Sequence, residues 1–550
     1  MVAAGVLAYL VLVPLLMLLA TSLHAVDHDD PLALTLDNFA RVLGRASGQA
    51  IVWNSFAYAI GAASTAILLG AVLAWLVERT DAPFRGVAYL AMFLSLALPG
   101  IFKVIGWVML LGPRAGFINL ALARVFGGGS AINLFSLGGM IFVEGLLWMP
   151  TAFLLVAAPL RSMDPALEEA AQVSGASRWQ MLRRVTLPLL APAGVAVALL
   201  AFVRMLEAFE VPALVGLPGR TLVLTSQIFL AMRTGVVTSY EEPSAYAILL
   251  TIPVVVGLFL YLRMVDNAEK YQVLRGRGFR PALLALGTWR VPAGLVILLA
   301  IGLMLLPLLA LLWTSFLPFA MPPSAEALGQ LTLASYARMA QTPRLVTSLV
   351  NTVIVGLASA TIVMLLVAVC AWLVNRSRLR ARVILDYLTV APLTFPGIVL
   401  GLALLVIYLR VPLPIYNTLA IIVLALVTRY VPFGMRYAST GLLQIHPELE
   451  ESASISGGRW HQVFSRVTVP LILPALFAGW VFVFLHAATE LSASVLLAGP
   501  RSQVASVLLF QLWQEGSTNE IGAFSVIFSL PLVVIALALR QATTRHGVQV

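Results

Sequence analysis

Two stretches of this chain match each other closely although 282 residues separate them. Residues 164–175 read DPALEEAAQVSG, and residues 446–457 read HPELEESASISG. Both stretches contain a triplet made of a glutamate, a small residue and an alanine, and three residues separate this triplet from a glycine. A Val-Thr-x-Pro sequence follows, and its proline lies thirteen residues after that glycine. A match of this length and spacing indicates an internal repeat.

The composition around this repeat is that of an integral membrane protein. Of the 550 residues, 61% are hydrophobic and 11% are charged, and the mean hydropathy is +0.98. The formal charge of +10 does not indicate a nucleic-acid partner, because the arginines lie between apolar runs, where membrane topology explains them. The lone Cys370 excludes an internal disulfide and a thiolate metal cluster.

Apolar runs of about 20 residues, the length that crosses a bilayer as a helix, predict twelve spans and an all-α fold. With the start of the chain placed inside, the inner loops carry 20 Lys and Arg and the outer loops carry 10, so both repeated stretches and both termini are predicted to be cytoplasmic. The predicted spans are 2–22, 54–77, 87–111, 136–160, 189–207, 245–263, 292–316, 348–375, 383–409, 417–441, 471–489 and 521–539.

The spans form two parallel six-helix repeats, because six spans separate the two matching stretches. Further matches at an offset of 297 support this division, among them Pro99-Gly100 with Pro396-Gly397, where we expect a broken span. The change of offset predicts an insertion of about fifteen residues within 112–134. We therefore divide the chain into 1–270 (first half, repeated loop 161–192), 271–290 (cytoplasmic linker) and 291–550 (second half, repeated loop 442–474).

Each repeated loop is predicted to hold a short helix with a sharp end. Pro165 and Pro447 suit the first position of a helix, and the acidic residues that follow suit its positive N-terminal end. Gly175 and Gly457 can adopt a positive φ angle and end the helix. A solvated helix end without a partner would also show acidic residues after a proline, but two copies at matched spacing favour a docking surface.

The loop spacing resembles the cytoplasmic EAA loop of ABC importer permeases, through which the membrane subunit docks on its ATPase. Two copies in one polypeptide resemble the fused permeases of the ferric-iron type, which implies a type I importer permease fold. By this resemblance two ATPase subunits and a substrate-binding protein are expected as partners. Ser452 departs from the family's alanine, a change between small residues. The expected ATPase-docking residues are Glu168, Glu169, Ala170, Ala171, Gly175, Glu450, Glu451, Ser452, Ala453 and Gly457.

The resemblance implies a transport subunit of the bacterial inner membrane rather than an enzyme, with ferric iron as its substrate and thiamine, phosphonates or polyamines as alternatives. The only lysines, Lys103 and Lys270, are not in a Gly-Lys-Ser/Thr sequence, so ATP and Mg are expected on the partner and no cofactor on this chain. A more distant alternative is an ion-coupled secondary transporter, which leaves the repeated loops unexplained.

Charged residues at membrane depth are costly and mark either a pathway or internal pairing. The pathway candidates are Lys103, Glu144, Glu207, Glu210 and Glu490, and snorkelling or internal ion pairs are the alternative. The acidic and histidine residues of 24–30 have an irregular spacing that favours a solvated loop over a metal site. Permeases of this type often carry a short basic tail before the first span, which leaves open that this chain begins after such a tail.

Overall fold

The computed structural model describes residues 2–25, 33–127, 132–163, 165–234, 239–269, 283–377, 379–411 and 413–545. Within these ranges the chain is almost entirely helical and contains no strand, only two isolated bridges. A helix satisfies its own backbone hydrogen bonds, which lipid cannot do. The all-α prediction is confirmed.

The helices of the first half include five short ones, α2, α6, α8, α9 and α11, that lie between or beside the spans. Their bounds are α1 Val2–Leu23, α2 Asp37–Gly44, α3 Ala46–Arg79, α4 Arg85–Ala97, α5 Gly100–Leu111, α6 Phe117–Phe126, α7 Leu137–Ser162, α8 Pro165–Val173, α9 Arg178–Met181, α10 Leu187–Glu207, α11 Leu224–Thr234 and α12 Glu241–Glu269.

The second half follows the same plan. Its helices are α13 Arg290–Ser315, α14 Ala325–Leu328, α15 Ala334–Gln341, α16 Pro343–Asn375, α17 Arg382–Val390, α18 Gly397–Arg410, α19 Leu419–Leu443, α20 Glu448–Ile455, α21 Trp460–Val463, α22 Val469–Thr489, α23 Ser494–Leu497, α24 Ala505–Glu515 and α25 Thr518–Arg545. Wide π-helical turns occupy Leu182–Thr186, Pro212–Gly216 and Phe464–Thr468, and 3-10 turns occupy Gly287–Trp289 and Ala391–Thr394.

In the described ranges, ten helices are long and apolar enough to cross a membrane, and two bent helix pairs raise the number to twelve when each pair counts as one span. These twelve segments coincide with the twelve predicted spans. The differences lie at the ends. The fifth and eleventh spans, for instance, begin at Trp179 and Trp460, outside the apolar run, because a short polar helix continues into each of them through a π-helical turn.

Both expected breaks occur at the Pro-Gly sequences. α4 meets α5 at an angle of 105°, and the segment beginning with α17 meets α18 at 104°. Proline lacks an amide hydrogen and forces the residue before it out of the helical region, and Leu98 and Phe395 are both extended. The predicted broken spans are therefore confirmed.

The predicted insertion in the first half contains a helix of its own. α6 lies between α5 and α7, whereas the second half passes from α18 to α19 through a short connection. The glycine run of the insertion begins at Gly127, which ends α6 with a φ angle of +65°, and its other two glycines lie outside the described residues.

The chain packs into two units that do not coincide with its two sequence halves. One unit comprises residues 46–226, 252–339 and 516–550. In it α3 packs against α7 and α10, and α13 packs against α4, α5 and α25. α3 and α7 approach closely because Gly70 faces Ala152 and Gly145 faces Thr65.

The other unit comprises residues 1–45, 227–251 and 340–515. Here α16, α19 and α22 pack together, and α1 packs against α17 and α18. Each unit thus takes the first span of the opposite sequence half. The division at 271–290 remains a prediction about the repeat, and residues 270–282 of that region lie outside the described residues.

Candidate functional site

The two repeated loops each begin with a short helix at the predicted place. α8 starts at Pro165, and Pro447 is the residue immediately before α20. The first turn of α8 contains Glu168, and the first turn of α20 contains three glutamates, where negative charge is stabilised by the helix end. Asp164, the residue before α8, lies outside the described residues.

Gly175 and Gly457 end these helices as predicted, with φ angles of +81° and +89°. In the first loop the Ala176 amide donates to the Ala171 carbonyl at 3.0 Å, and in the second the Gly458 amide donates to the Ala453 carbonyl at 3.0 Å. This six-to-one bond is the mark of a Schellman motif, which favours glycine at the preceding position. The expectation of positive φ is confirmed.

After the glycine, each loop turns into a second helix through a side-chain cap. The Ser177 amide donates to Gln180 Oε1 at 2.9 Å, and the Arg459 amide donates to Gln462 Oε1 at 2.9 Å. Each second helix then widens into a π-helical turn just before Pro188 or Pro470. The wider turn gives the proline ring room, since in a regular α-helix the ring clashes with the carbonyl four residues earlier.

One glutamate of the first loop points into the protein. Glu168 is 7% exposed, and its Oε1 accepts a hydrogen bond of 2.7 Å from the Thr186 hydroxyl. Its Oε2 lies 2.6 Å from Nη2 of Arg79, a buried arginine at the last position of α3. Glu168 therefore joins the loop helix to α3 and to the π-helical turn that precedes α10.

The second loop repeats this arrangement with equivalent residues. Glu450 is 8% exposed and accepts a hydrogen bond of 2.7 Å from the Thr468 hydroxyl. Nε of Arg376, the residue that follows α16, lies 3.6 Å from Glu450 Oε2. Arg376 also donates to the carbonyls of Leu442 and Ile445, at 3.1 Å and 2.5 Å, at the end of α19.

The outer faces of both loop helices are exposed and partly apolar. Val173 is 89% exposed and its repeat equivalent Ile455 is 87% exposed, each two residues before the glycine. Ala170 and Ser452 are also exposed at equivalent positions. An exposed aliphatic side chain beside small residues is suited to insertion into a partner's groove.

The structure thus separates the predicted docking residues into two groups. Glu451, Ser452 and Ala170 lie on exposed faces, whereas Glu168 and Glu450 are buried. The side chain of Glu169 is not among the described ones. Ala171 and Ala453 are half-buried.

Sequence reasoning missed four residues of these loops and two arginines that contact them. The six are Thr186, Thr468, Val173, Ile455, Arg79 and Arg376. A signal for four of them was present. Arg79 and Arg376 are equivalent at the offset of 297, and the two threonines at the offset of 282. The exposure of Val173 and Ile455 depends on the orientation of the loop helices, which sequence spacing does not give.

Three predicted pathway residues, the buried Lys103 and Glu144 and the half-buried Glu210, lie together in the unit that contains α3 and α7. The Tyr58 hydroxyl donates to Glu144 Oε2 at 2.8 Å, and the Lys103 ammonium donates to the Ser95 carbonyl at 2.9 Å. Glu144 and Glu210 both act electrostatically on Lys103. The Glu210 carboxylate lies against Gly100, where it would meet an added methyl group.

The other two pathway candidates accept hydrogen bonds from residues three or four positions away in the sequence. Glu207 accepts a hydrogen bond of 2.9 Å from Arg204, one turn earlier in α10. In the other unit Glu490 accepts bonds from the amides of Ala493 and Ser494, at 2.9 Å and 3.2 Å, and so caps α23. Internal pairing therefore accounts for their burial, and a role in a pathway remains a prediction.

Across the described part of the chain, no group of three or more His, Cys, Asp or Glu side chains is arranged to hold a metal ion. The acidic and histidine residues near the start of the chain fall mostly at 26–32, outside the described residues.

The chain is similar to permease proteins of bacterial transport systems. It is 26% identical to the ferric transport system permease protein of Actinobacillus pleuropneumoniae, over 91% of this chain and 72% of that protein. It is 27% identical to a putative ferric transport system permease protein of Haemophilus influenzae over 75% of this chain, and spans 64% of that relative's length. It is 29% identical to the molybdenum transport system permease protein of Escherichia coli K12, over 33% of this chain and 80% of that protein.

The family model of the binding-protein-dependent transport system inner membrane component matches twice, at residues 66–272 and 364–546. The two matches together cover more than half of the chain, and each contains one of the repeated loops. Two copies of the family's domain in one polypeptide confirm a fused, two-half permease. The chain belongs to the family of inner membrane components of binding-protein-dependent transport systems.

Proposed function

We propose that this chain is the permease of an ATP-driven importer that moves ferric iron, delivered by a separate binding protein, across the bacterial inner membrane. The single observation that carries the proposal is the repeated loop. In both halves it presents an exposed short helix with an aliphatic residue near its end, Val173 or Ile455, followed by a glycine with positive φ.

The exposed faces of α8 and α20 are the proposed docking surfaces for two copies of an ATPase. In α20 the exposed Glu448 and Glu451 suit a partner groove with a basic rim. The exposed aliphatic residue of each loop helix suits the groove's apolar floor. The sequence contains no Gly-Lys-Ser/Thr phosphate-binding loop, so in this proposal ATP and Mg bind to the partner. Binding of ATP would move the docked loops and thereby change which side of the membrane the pathway faces.

Ferric iron is supported as the cargo by the names of the relatives that align with most of this chain. The molybdenum relative aligns with only a third of the chain. An importer pathway need only pass what its binding protein selects, so a dense set of iron ligands within the spans is not required. The charged residues Lys103, Glu144, Glu207, Glu210 and Glu490 are proposed to lie along this pathway.

The excess of Lys and Arg in one set of loops supports a cytoplasmic position for both repeated loops and both termini. This orientation matches the proposed docking, since ATP is available on the cytoplasmic side. Cysteine labelling from either side of inverted and right-side-out vesicles would check it.

The test is reconstitution of the permease in proteoliposomes with its cognate binding protein and ATPase, followed by uptake of radiolabelled ferric iron. We expect uptake that needs both ATP and the binding protein and that continues when ionophores remove all ion gradients. Unlabelled thiamine, phosphonate, polyamine and molybdate serve as competitors, and displacement of iron by one of them would reassign the cargo. Uptake driven by an ion gradient without the ATPase would contradict the importer proposal and favour a secondary transporter.

A further inference from the structure

Each loop contains a buried glutamate one position before the residue that begins the proposed docking triplet. We propose that Glu168 and Glu450 are positioning residues that couple the loop helices to the spans and do not themselves contact the ATPase. This inference rests on the proposed function, because it assigns a transmitting role within the same docking loops.

The first line of support is that the same three residue types meet in both halves. Glu168 meets Thr186 and Arg79, and Glu450 meets Thr468 and Arg376. The glutamates and threonines are equivalent at the offset of 282, and the arginines at the offset of 297. We call each set of three a latch.

Burial is the second line of support. Both glutamates are less than a tenth exposed, and both threonine side chains are fully buried. A docking partner would therefore meet the neighbouring exposed residues first. In the first latch Arg79 is buried as well, so separation of its ion pair would leave two unpaired charges out of water. In the second latch the arginine, Arg376, is half-buried.

The third line of support is what each latch joins. The glutamate lies on the loop helix, the arginine lies at the inner end of the second span of its half, and the threonine lies in the π-helical turn at the start of the fifth. A displacement of the loop helix is thus transmitted to two spans through the side-chain contacts of the latch, and not only through the backbone of the connecting segments. This arrangement suits the transfer of movement from a docked ATPase to the membrane part of each half.

The two latches differ in strength and reach. The charged atoms lie 2.6 Å apart in the first latch and 3.6 Å apart in the second. In the second latch Arg376 also binds two carbonyls at the end of α19, so this latch reaches a third span. We expect a change in the first latch to affect coupling more directly, because its ion pair is shorter.

The test compares Glu450→Gln with its exposed neighbour Glu451→Gln, and adds Glu168→Gln for the first latch. Each permease is assembled with ATPase and binding protein, and three quantities are measured: the Kd for the ATPase, the ATP hydrolysed per iron imported, and the melting temperature. Coupling between distant sites corresponds to about 5- to 150-fold effects. We therefore expect Glu168→Gln and Glu450→Gln to raise the ATP hydrolysed per iron by about fivefold or more, with the Kd unchanged. Glu451→Gln should weaken ATPase binding instead.

A milder pair of variants keeps the test valid where a glutamate change prevents folding. Thr186→Val and Thr468→Val remove one hydrogen bond and leave the ion pair in place, and the corresponding serine variants restore the hydroxyl. The valine variants should partly uncouple hydrolysis from uptake, and the serine variants should recover the wild-type ratio at the same melting temperature.

The inference is overturned if the glutamine and valine variants import iron at the wild-type ratio, or if Glu450→Gln weakens ATPase binding as much as Glu451→Gln does. Failure of the proposed function gives a different result. In that case the wild-type protein itself shows no ATP-dependent uptake and no binding to the ATPase.

Discussion

At the scale of single residues, Gly175 and Gly457 have a conformational role that can be separated from packing. Both have positive φ angles, and a methyl group added at either would meet no other atom within 4 Å. A side chain there would be strained by the backbone conformation alone, at a cost of about 1–2 kcal/mol. The strain would change the end of the loop helix and the direction in which Val173 or Ile455 points.

We therefore expect Gly175→Val and Gly457→Val to weaken retention of the ATPase while leaving membrane insertion intact. Co-purification of the ATPase with tagged permease measures this. Gly194→Val is the matched control, since Gly194 also faces open space but lacks a positive φ angle. Equal ATPase recovery with the loop variants and the control would contradict a role for these helix ends in docking.

A second residue-scale prediction concerns the glutamates that begin the docking triplets. Replacement of both Glu169 and Glu451 by alanine removes one negative charge from each proposed docking surface. We expect the ATPase to bind more weakly, seen as a higher Kd for the ATPase and a correspondingly slower uptake of iron in proteoliposomes. Glu326→Ala, at an exposed helix start in a predicted outer loop, is the control and should transport normally. Normal transport by the double variant would argue against the docking assignment.

Residue-scale features differ in how far the sequence predicts them. The positive φ of Gly175 follows from local signals, because a short helix with a proline start and a glycine end is specified by adjacent residues. The burial of Glu168 depends on Arg79, which is distant in the chain and is brought near only by the packing of α3. The sequence repeat marked both arginines as equivalent but gave no indication that they face the glutamates.

At the scale of elements, the broken spans combine a local signal with long-range packing. The break between α17 and α18 was predictable from Pro396-Gly397, because proline cannot continue the helix hydrogen bonding. The surroundings of the break were not predictable. A methyl group at Gly397 would meet the guanidinium of Arg429, the Ser492 side chain and the Glu490 carboxylate.

Gly397→Ala should therefore destabilise the protein by about 1–3 kcal/mol, the usual cost of overpacking, and should also slow uptake. Thermal unfolding of the purified protein in detergent measures the first effect. Gly302→Ala in α13 is the matched control, because the added methyl group has open space around it. If both variants melt at the same temperature, the expectation that Gly397 is closely packed at this break is wrong.

At the scale of the whole molecule, the two sequence halves exchange their first spans between the packed units. α1 packs against α17 and α18, and α13 packs against α4 and α5. Counting spans predicted the repeat, since apolar length is a local property. It did not predict this exchange, because the sequence does not specify which apolar faces meet when all of them are similarly hydrophobic.

The exchange predicts that neither half is stable alone. When residues 1–270 and 271–550 are expressed separately, each should be degraded, because 1–270 lacks α13 to cover α5 and 271–550 lacks α1 to cover α18. Expressed together, the two fragments should accumulate in the membrane and co-purify. Immunoblots of membrane fractions measure this, with the intact chain as reference. Stable accumulation of one fragment alone would contradict the exchange.

In the proposed function each half offers one docking loop to an ATPase. Native mass spectrometry of the nucleotide-free complex in detergent tests it most directly, because without ATP the ATPase subunits are not expected to hold each other in place. We expect two ATPase subunits on the wild-type permease, one when Val173→Asp or Ile455→Asp alters a single loop, and none when both loops are altered. Two bound ATPase subunits on the variant with both loops altered would contradict it.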